Sequence, residues 1–133
     1  DVFGRKAVAV VGFVGAAASL WLFAHTGANP TTLFAGLFVV SFFCLGNVAL
    51  ITGPIATEAA PAGLISSAIG VVVGAGEIFG GGVAPSIAGY VGNHYGIENT
   101  LYVALTGVTL GVVVSLLFKE TAPRKTALAA NRA

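Results

Sequence analysis

Leu64-Ile-Ser-Ser-Ala-Ile-Gly70-Val-Val-Val-Gly74-Ala-Gly-Glu77-Ile-Phe-Gly80-Gly-Gly-Val-Ala-Pro85-Ser-Ile-Ala-Gly-Tyr-Val91 is twenty-eight residues long and carries one charged side chain. A helix needs roughly 20 mostly apolar residues to cross a hydrocarbon core about 30 Å thick. At about 1.5 Å per residue this stretch reaches roughly 40 Å, so tilt, a kink or an emergent end must absorb the excess. Gly80 to Gly82 and Pro85 mark the weak point, because proline removes a backbone donor and clashes with the preceding turn. In lipid a broken helix is tolerated only where protein or water satisfies the freed carbonyl. This segment is therefore expected to pack inside protein.

Outward from it lie three more apolar runs, at 7–24, 31–56 and 100–118, with this one at 64–91. Between them stand stretches rich in turn-forming residues: 25–30, 57–63 and 92–99. The expectation is an all-α integral membrane protein with four transmembrane helices over residues 7–118. Composition agrees. Only 8% of the 133 residues are charged and 56% are hydrophobic, against about 25% charged in soluble domains.

All six Lys and Arg residues lie in the first six and the last fifteen positions. Basic residues gather on the cytoplasmic side of membrane proteins. Both ends are thus expected in the cytoplasm, with 1–6 a cytoplasmic loop and 119–133 a cytoplasmic tail. Trp21, Tyr90, Tyr95 and Tyr102 fall near the opposite ends of their segments, where an aromatic belt would place them. No element carries a basic patch, which argues against a nucleic-acid partner. Cys44 is the one cysteine, so neither an internal disulfide nor a thiolate metal cage is expected. No cofactor is implied. The sequence contains no Met, which suggests a fragment or a processed product.

Glu77 is the one Asp, Glu, His, Lys or Arg within a span. A charge at that depth costs about 2.5–3.5 kcal/mol on insertion scales, which favours the neutral acid for part of a working cycle. Glu77 is the candidate for proton coupling or solute contact, against a purely structural hydrogen-bonded role. Around it runs a small-residue stripe that includes Gly70, Gly74 and Gly81, with Pro85 following. Such stripes let helix backbones approach closely. In segment two, Ser41 and Asn47 are candidates for lining a cavity; an amide in hydrocarbon seeks a partner on another helix or water. Segments one and four carry only scattered hydroxyls, and read as outer, lipid-facing helices. His25 and His94 read as loop residues, no metal site is expected, and the absence of a nucleophile–base set argues against an enzyme.

The chain resembles a major facilitator superfamily transporter. Asp1-Val-Phe-Gly4-Arg5-Lys6 is similar to the second half of the family's cytoplasmic loop signature, with Asp1, Gly4, Arg5 and Lys6 in place. Glu58 and Pro61 resemble the acid and proline that open a later helix. Gly81-Gly-Val-Ala-Pro85-Ser-Ile-Ala-Gly89 resembles its glycine–proline run, and Lys119-Glu-Thr-Ala-Pro123 its closing tail. Val2 stands where the signature usually has a base, and Ala62-Gly-Leu-Ile65 lacks the Arg that commonly follows the loop proline. A weakened cytoplasmic charge network is expected in consequence.

The resemblance implies the last four helices, nine to twelve, of a twelve-helix alternating-access carrier in a bacterial inner membrane. Segment two would then line the cavity and segment three the domain interface. The implied function is movement of a small organic solute, with an anion favoured, by proton symport. Its implied partners are membrane lipid, the solute, protons and the remainder of the carrier. An efflux antiporter of the same superfamily is the nearest alternative. A complete four-helix protein working as an oligomer, like the small multidrug resistance exporters, would be expected to carry its acid in the first helix, not the third. A non-transporting membrane anchor is a further alternative.

Overall fold

The computed structural model describes residues 4–120, and these are helical almost throughout, with no strand among them. The first span is α1, Arg5–Ala24. The second is continuous from Pro30 to Ala59: α2, Pro30–Leu50, then a π-helical stretch, Ile51–Ile55, then the single turn α3, Ala56–Ala59. The third runs Ile65–Tyr95 as α4, Ile65–Gly76, a second π stretch, Glu77–Val83, and α5, Ala84–Tyr95. After a 3-10 turn at Ile97–Asn99, α6 covers Thr100–Leu117. All four spans are long and apolar enough to cross a membrane.

Local chemistry explains the boundaries. Asn29 caps α2, its side chain accepting from the Thr31 N–H at 3.0 Å, and Pro30 occupies the first helical position, where no donor is needed. The second span stops at Ala60, whose extended backbone is what a following proline imposes. Gly4 precedes α1 with φ +81°, a conformation open to glycine at little cost. Both π stretches fall where the helical ladder is weak. Pro54 lies inside the first, and three consecutive glycines lie inside the second, which ends two residues before Pro85. Widening the turn lets a helix pass a missing donor without breaking.

The first span packs against the second along its length and against the fourth. Lipid gives no hydrophobic drive between helices, so close van der Waals fit must hold them. The fit here is aromatic side chains seated on glycines. A Cβ on Gly15 would come within 2.5 Å of the Phe43 ring, one on Gly36 within 2.7 Å of Phe23, and one on Gly111 within 2.5 Å of Phe13. Ala9, Ala16, Ser19 and Leu20 of α1 are buried, as is Ser115 of α6. Ser19 and Ser115 donate to the carbonyls of Ala16 and Val112, three residues back.

Polarity ranked the first span with the outer helices, but the packing among these four spans follows a different order. The first is the most enclosed of the four, because small residues, not polar ones, decide which surfaces can approach. The third span is the least enclosed, with no buried residue. It touches the second span near the first π stretch and the fourth through α5. Gly70 and Gly74 have open space where a Cβ would stand, so no described residue packs on that part of the stripe.

Candidate functional site

The two π stretches share one groove. Val48, Ile51 and Thr52 of the second span face Val72, Val73, Gly76, Glu77, Gly80 and Gly81 of the third across a space of about 480 Å³. Thr52 and Ile51 belong to the first π stretch. Glu77, Gly80 and Gly81 belong to the second. π turns recur at functional sites, and here the carboxyl of Glu77 on the third span and the hydroxyl of Thr52 on the second line a common space.

Glu77 is exposed to the groove, and no other described residue gives its carboxyl a hydrogen bond or ion pair. A Cβ on Gly81 would stand 3.1 Å from Glu77 Oε2, so Gly81 is what lets the carboxyl lie back along its own helix. The Thr52 hydroxyl donates to the Val48 carbonyl at 2.8 Å, which leaves its oxygen able to accept from a solute. A groove of this size suits a small molecule. It offers one group able to take up and release a proton, one acceptor, and otherwise apolar walls.

The other residues picked out by sequence lie elsewhere. Asn47 is 5% exposed and faces the first span, where a Cβ on Gly12 would overlap its amide oxygen. It lines a separate cavity between the first two spans. Ser41 is half-buried and lines neither space. Pro85 lines a third cleft, of about 400 Å³, against Thr100, Val103 and Gly107 of the fourth span. Glu77 is thus brought together with Thr52, and with neither Ser41 nor Asn47. A π stretch turns residues out of α-helical register, so helical spacing alone does not bring Thr52 to the side that faces Glu77.

At the end of the bundle carrying the basic residues, Arg5 grips Glu58. Arg5 Nε donates to Glu58 Oε1 at 3.1 Å and Oε2 at 3.4 Å, and a terminal guanidinium nitrogen donates to Oε1 at 3.0 Å. The Arg5 backbone N–H donates to Glu120 Oε1 at 2.8 Å, and Lys6 Nζ donates to the Leu116 carbonyl at 2.6 Å. Gly4 leaves room for this, since a Cβ there would overlap the Glu120 carboxylate. Three of the four spans are joined at this end. The sequence signal for the pair is topological: two crossings return Glu58 to the side where Arg5 starts. Asp1, Val2 and the tail from 121 onward, with Arg124, Lys125 and Arg132, lie outside the described residues.

At the opposite end, His25 and His94 each pair through Nδ1 with a carbonyl four residues earlier, Trp21 at 2.8 Å and Tyr90 at 2.9 Å. Each ring also lies against the aromatic ring of that same residue. These are helix-end contacts. No group of three metal-binding side chains occurs among the described residues.

Four membrane-length helices, two of them widened by π stretches, define an all-helical integral membrane protein. The family model described as Major Facilitator Superfamily matches residues 1–133. Comparison with curated proteins and with solved structures gives no match. The chain belongs to the Major Facilitator Superfamily, a family of membrane transporters.

Proposed function

We propose that this transporter moves a small organic solute by proton symport and alternating access, with Glu77 as the coupling carboxyl. The observation that supports this most is the placement of Glu77 in the groove between the two π stretches, opposite Thr52. An intramembrane acid facing a cavity is where proton relays are built. Proton binding and solute binding at one site are coupled if the neutral acid holds the solute better than the carboxylate does. A neutral or cationic solute suits this wall better than an anion, since no Lys or Arg lies between 7 and 118 to balance a negative charge.

The remaining assignments belong to the same reading. Both ends face the cytoplasm across a bacterial inner membrane, as the basic margins suggest. The four helices act as the last four of a twelve-helix bundle, the other parts of which complete the solute site. Gly70 and Gly74 form the surface against which another helix of the carrier packs. Of the loop signature Asp1, Gly4, Arg5 and Lys6, Arg5 holds the cytoplasmic end shut through Glu58 and Glu120 while the opposite side is open, with Lys6 on the Leu116 carbonyl and Gly4 leaving room for the Glu120 carboxylate.

The test is uptake by the full-length carrier in vesicles with an imposed inward proton gradient. The gradient should drive accumulation with the unaltered protein. Glu77→Gln should abolish accumulation above equilibrium while leaving solute exchange across the membrane. Gradient-driven accumulation that survives in Glu77→Gln would overturn the assignment.

A further inference from the structure

The second π stretch strands a carbonyl. At its end the Ala84 N–H donates to the Phe79 carbonyl, five residues back. The next rung of that ladder would run from residue 85 to Gly80, but Pro85 has no N–H. The Gly80 carbonyl therefore loses the donor at 84 to Phe79 and the donor at 85 to proline. Gly80 is exposed, and a residue without a side chain exposes main chain. A carbonyl at membrane depth must find its donor in protein or in water, because an acyl chain offers none.

Gly80 also stands where two spaces meet. It lines the Glu77 groove and the cleft toward the fourth span, which holds Thr100, Val103 and Gly107. A Cβ on Gly80 would meet nothing within 4 Å, so no side chain closes the junction. Val103 in turn lines both that cleft and a recess of about 440 Å³ formed with Tyr95, Asn99 and Tyr102 at the end of the bundle opposite Arg5. The three spaces follow one another along the third span as a furrow from Glu77 to that end. Its walls are mostly small and apolar, but acceptors recur along it. After the Gly80 carbonyl comes Thr100, whose hydroxyl donates to the Ile97 carbonyl at 2.6 Å and leaves its oxygen able to accept. Asn99 follows, its amide nitrogen donating to the Tyr95 carbonyl and its amide oxygen left to accept. Among the described residues Glu77 is the one Asp, Glu, His, Lys or Arg that lines the furrow. His94 and Glu98 each stand next in sequence to a residue of the recess.

We propose that water fills this furrow and carries the proton to Glu77 from the side opposite Arg5, with the Gly80 carbonyl holding the inner end of the water file. The proposal rests on the reading of Glu77 as the coupling carboxyl. A hydronium ion at the recess hands its extra proton along the hydrogen-bonded waters, and the last water gives one to the Glu77 carboxylate, which becomes the neutral acid. No other bond changes.

Two measurements on the full-length carrier test this. The first is labelling, in a cysteine-free background, by a small trimethylammonium methanethiosulfonate added outside intact cells. Ala104→Cys, within the cleft, should react at least roughly tenfold faster than Leu105→Cys, its neighbour outside the furrow, because the thiolate that reacts is suppressed in apolar surroundings. The second is the infrared band of the protonated Glu77 carboxyl, identified by its loss in Glu77→Gln, followed in time after the external pH is dropped. Gly107→Phe places a ring in the cleft, where a Cβ meets nothing within 4 Å, and Gly107 does not line the Glu77 groove. It should slow the rise of the band at least roughly tenfold and leave its final size unchanged, whereas a disturbed Glu77 site would change the size. Equal labelling of the two cysteines would show the cleft to be dry and overturn the proposal. A band that rises as fast in Gly107→Phe as in the unaltered protein would also overturn it, while leaving the role of Glu77 intact. A carrier with no such band would overturn the coupling assignment and the proton route together, whatever the labelling.

Discussion

Gly15 holds the first two spans together by having no side chain. The Phe43 ring occupies the space its Cβ would take, and Gly36 under Phe23 repeats the arrangement nearer the other end. Overfilling a packed contact costs typically about 1–3 kcal/mol. Gly15→Leu should therefore lower resistance to unfolding in mild detergent by that order, measured as a shift in the denaturation midpoint, whereas Gly107→Leu, with open space around it, should change it little. At this scale the sequence pointed to the residue types but not to their partners. Asn47 and Glu77 both stood out as polar groups in apolar runs, and the fold turns Asn47 of the second span toward the first, away from the groove that Glu77 of the third span lines. Only the backbone path could show that Thr52, not Asn47, shares the groove with Glu77.

The π stretches turn two weak points of sequence into one site. Gly53-Pro54 and Gly80-Gly81-Gly82 each announce a disturbed helix, since a proline lacks its donor and glycines leave the backbone loosely held. Sequence does not say how the hydrogen-bond ladder reroutes, because that depends on the neighbouring helix. Gly81→Leu should press a side chain on the Glu77 carboxyl, given the 3.1 Å approach already present at the Cβ. Uptake should fall at least roughly tenfold, about 1.4 kcal/mol in barrier terms, with the protein still inserted and folded by circular dichroism. The Arg5–Glu58 pair works at the level of whole helices too, tying the start of the first span to the end of the second. Both side chains are partly exposed, at 27% and 18%, so Glu58→Gln should cost on the order of 1 kcal/mol or less, read as a small fall in denaturation midpoint that high salt also produces in the unaltered protein.

For the molecule as a whole, the fold class was the most legible feature. Four apolar runs in 133 residues leave too little polar surface for a water-soluble globule, and the family match over residues 1–133 agrees with the motifs at Arg5, Glu58 and Pro85. Burial order was not legible. Polarity ranked the first span as peripheral, whereas glycine and alanine on its surface place it at the centre of the described bundle. Orientation remains a proposal with a direct check. In a Cys44→Ala background, a cysteine at Ala28 should react with an impermeant maleimide added outside intact cells, and one at Ala62 only after the membrane is opened.

Proton movement itself tests the central claim. When solute is added outside de-energised vesicles containing the full-length carrier, a symporter must draw protons inward with it, so the external medium should turn alkaline in proportion to uptake. Glu77→Gln should admit solute down its gradient with no such change. Equal alkalinisation by the Glu77→Gln protein, or solute uptake by the unaltered protein with no proton movement, would contradict the account.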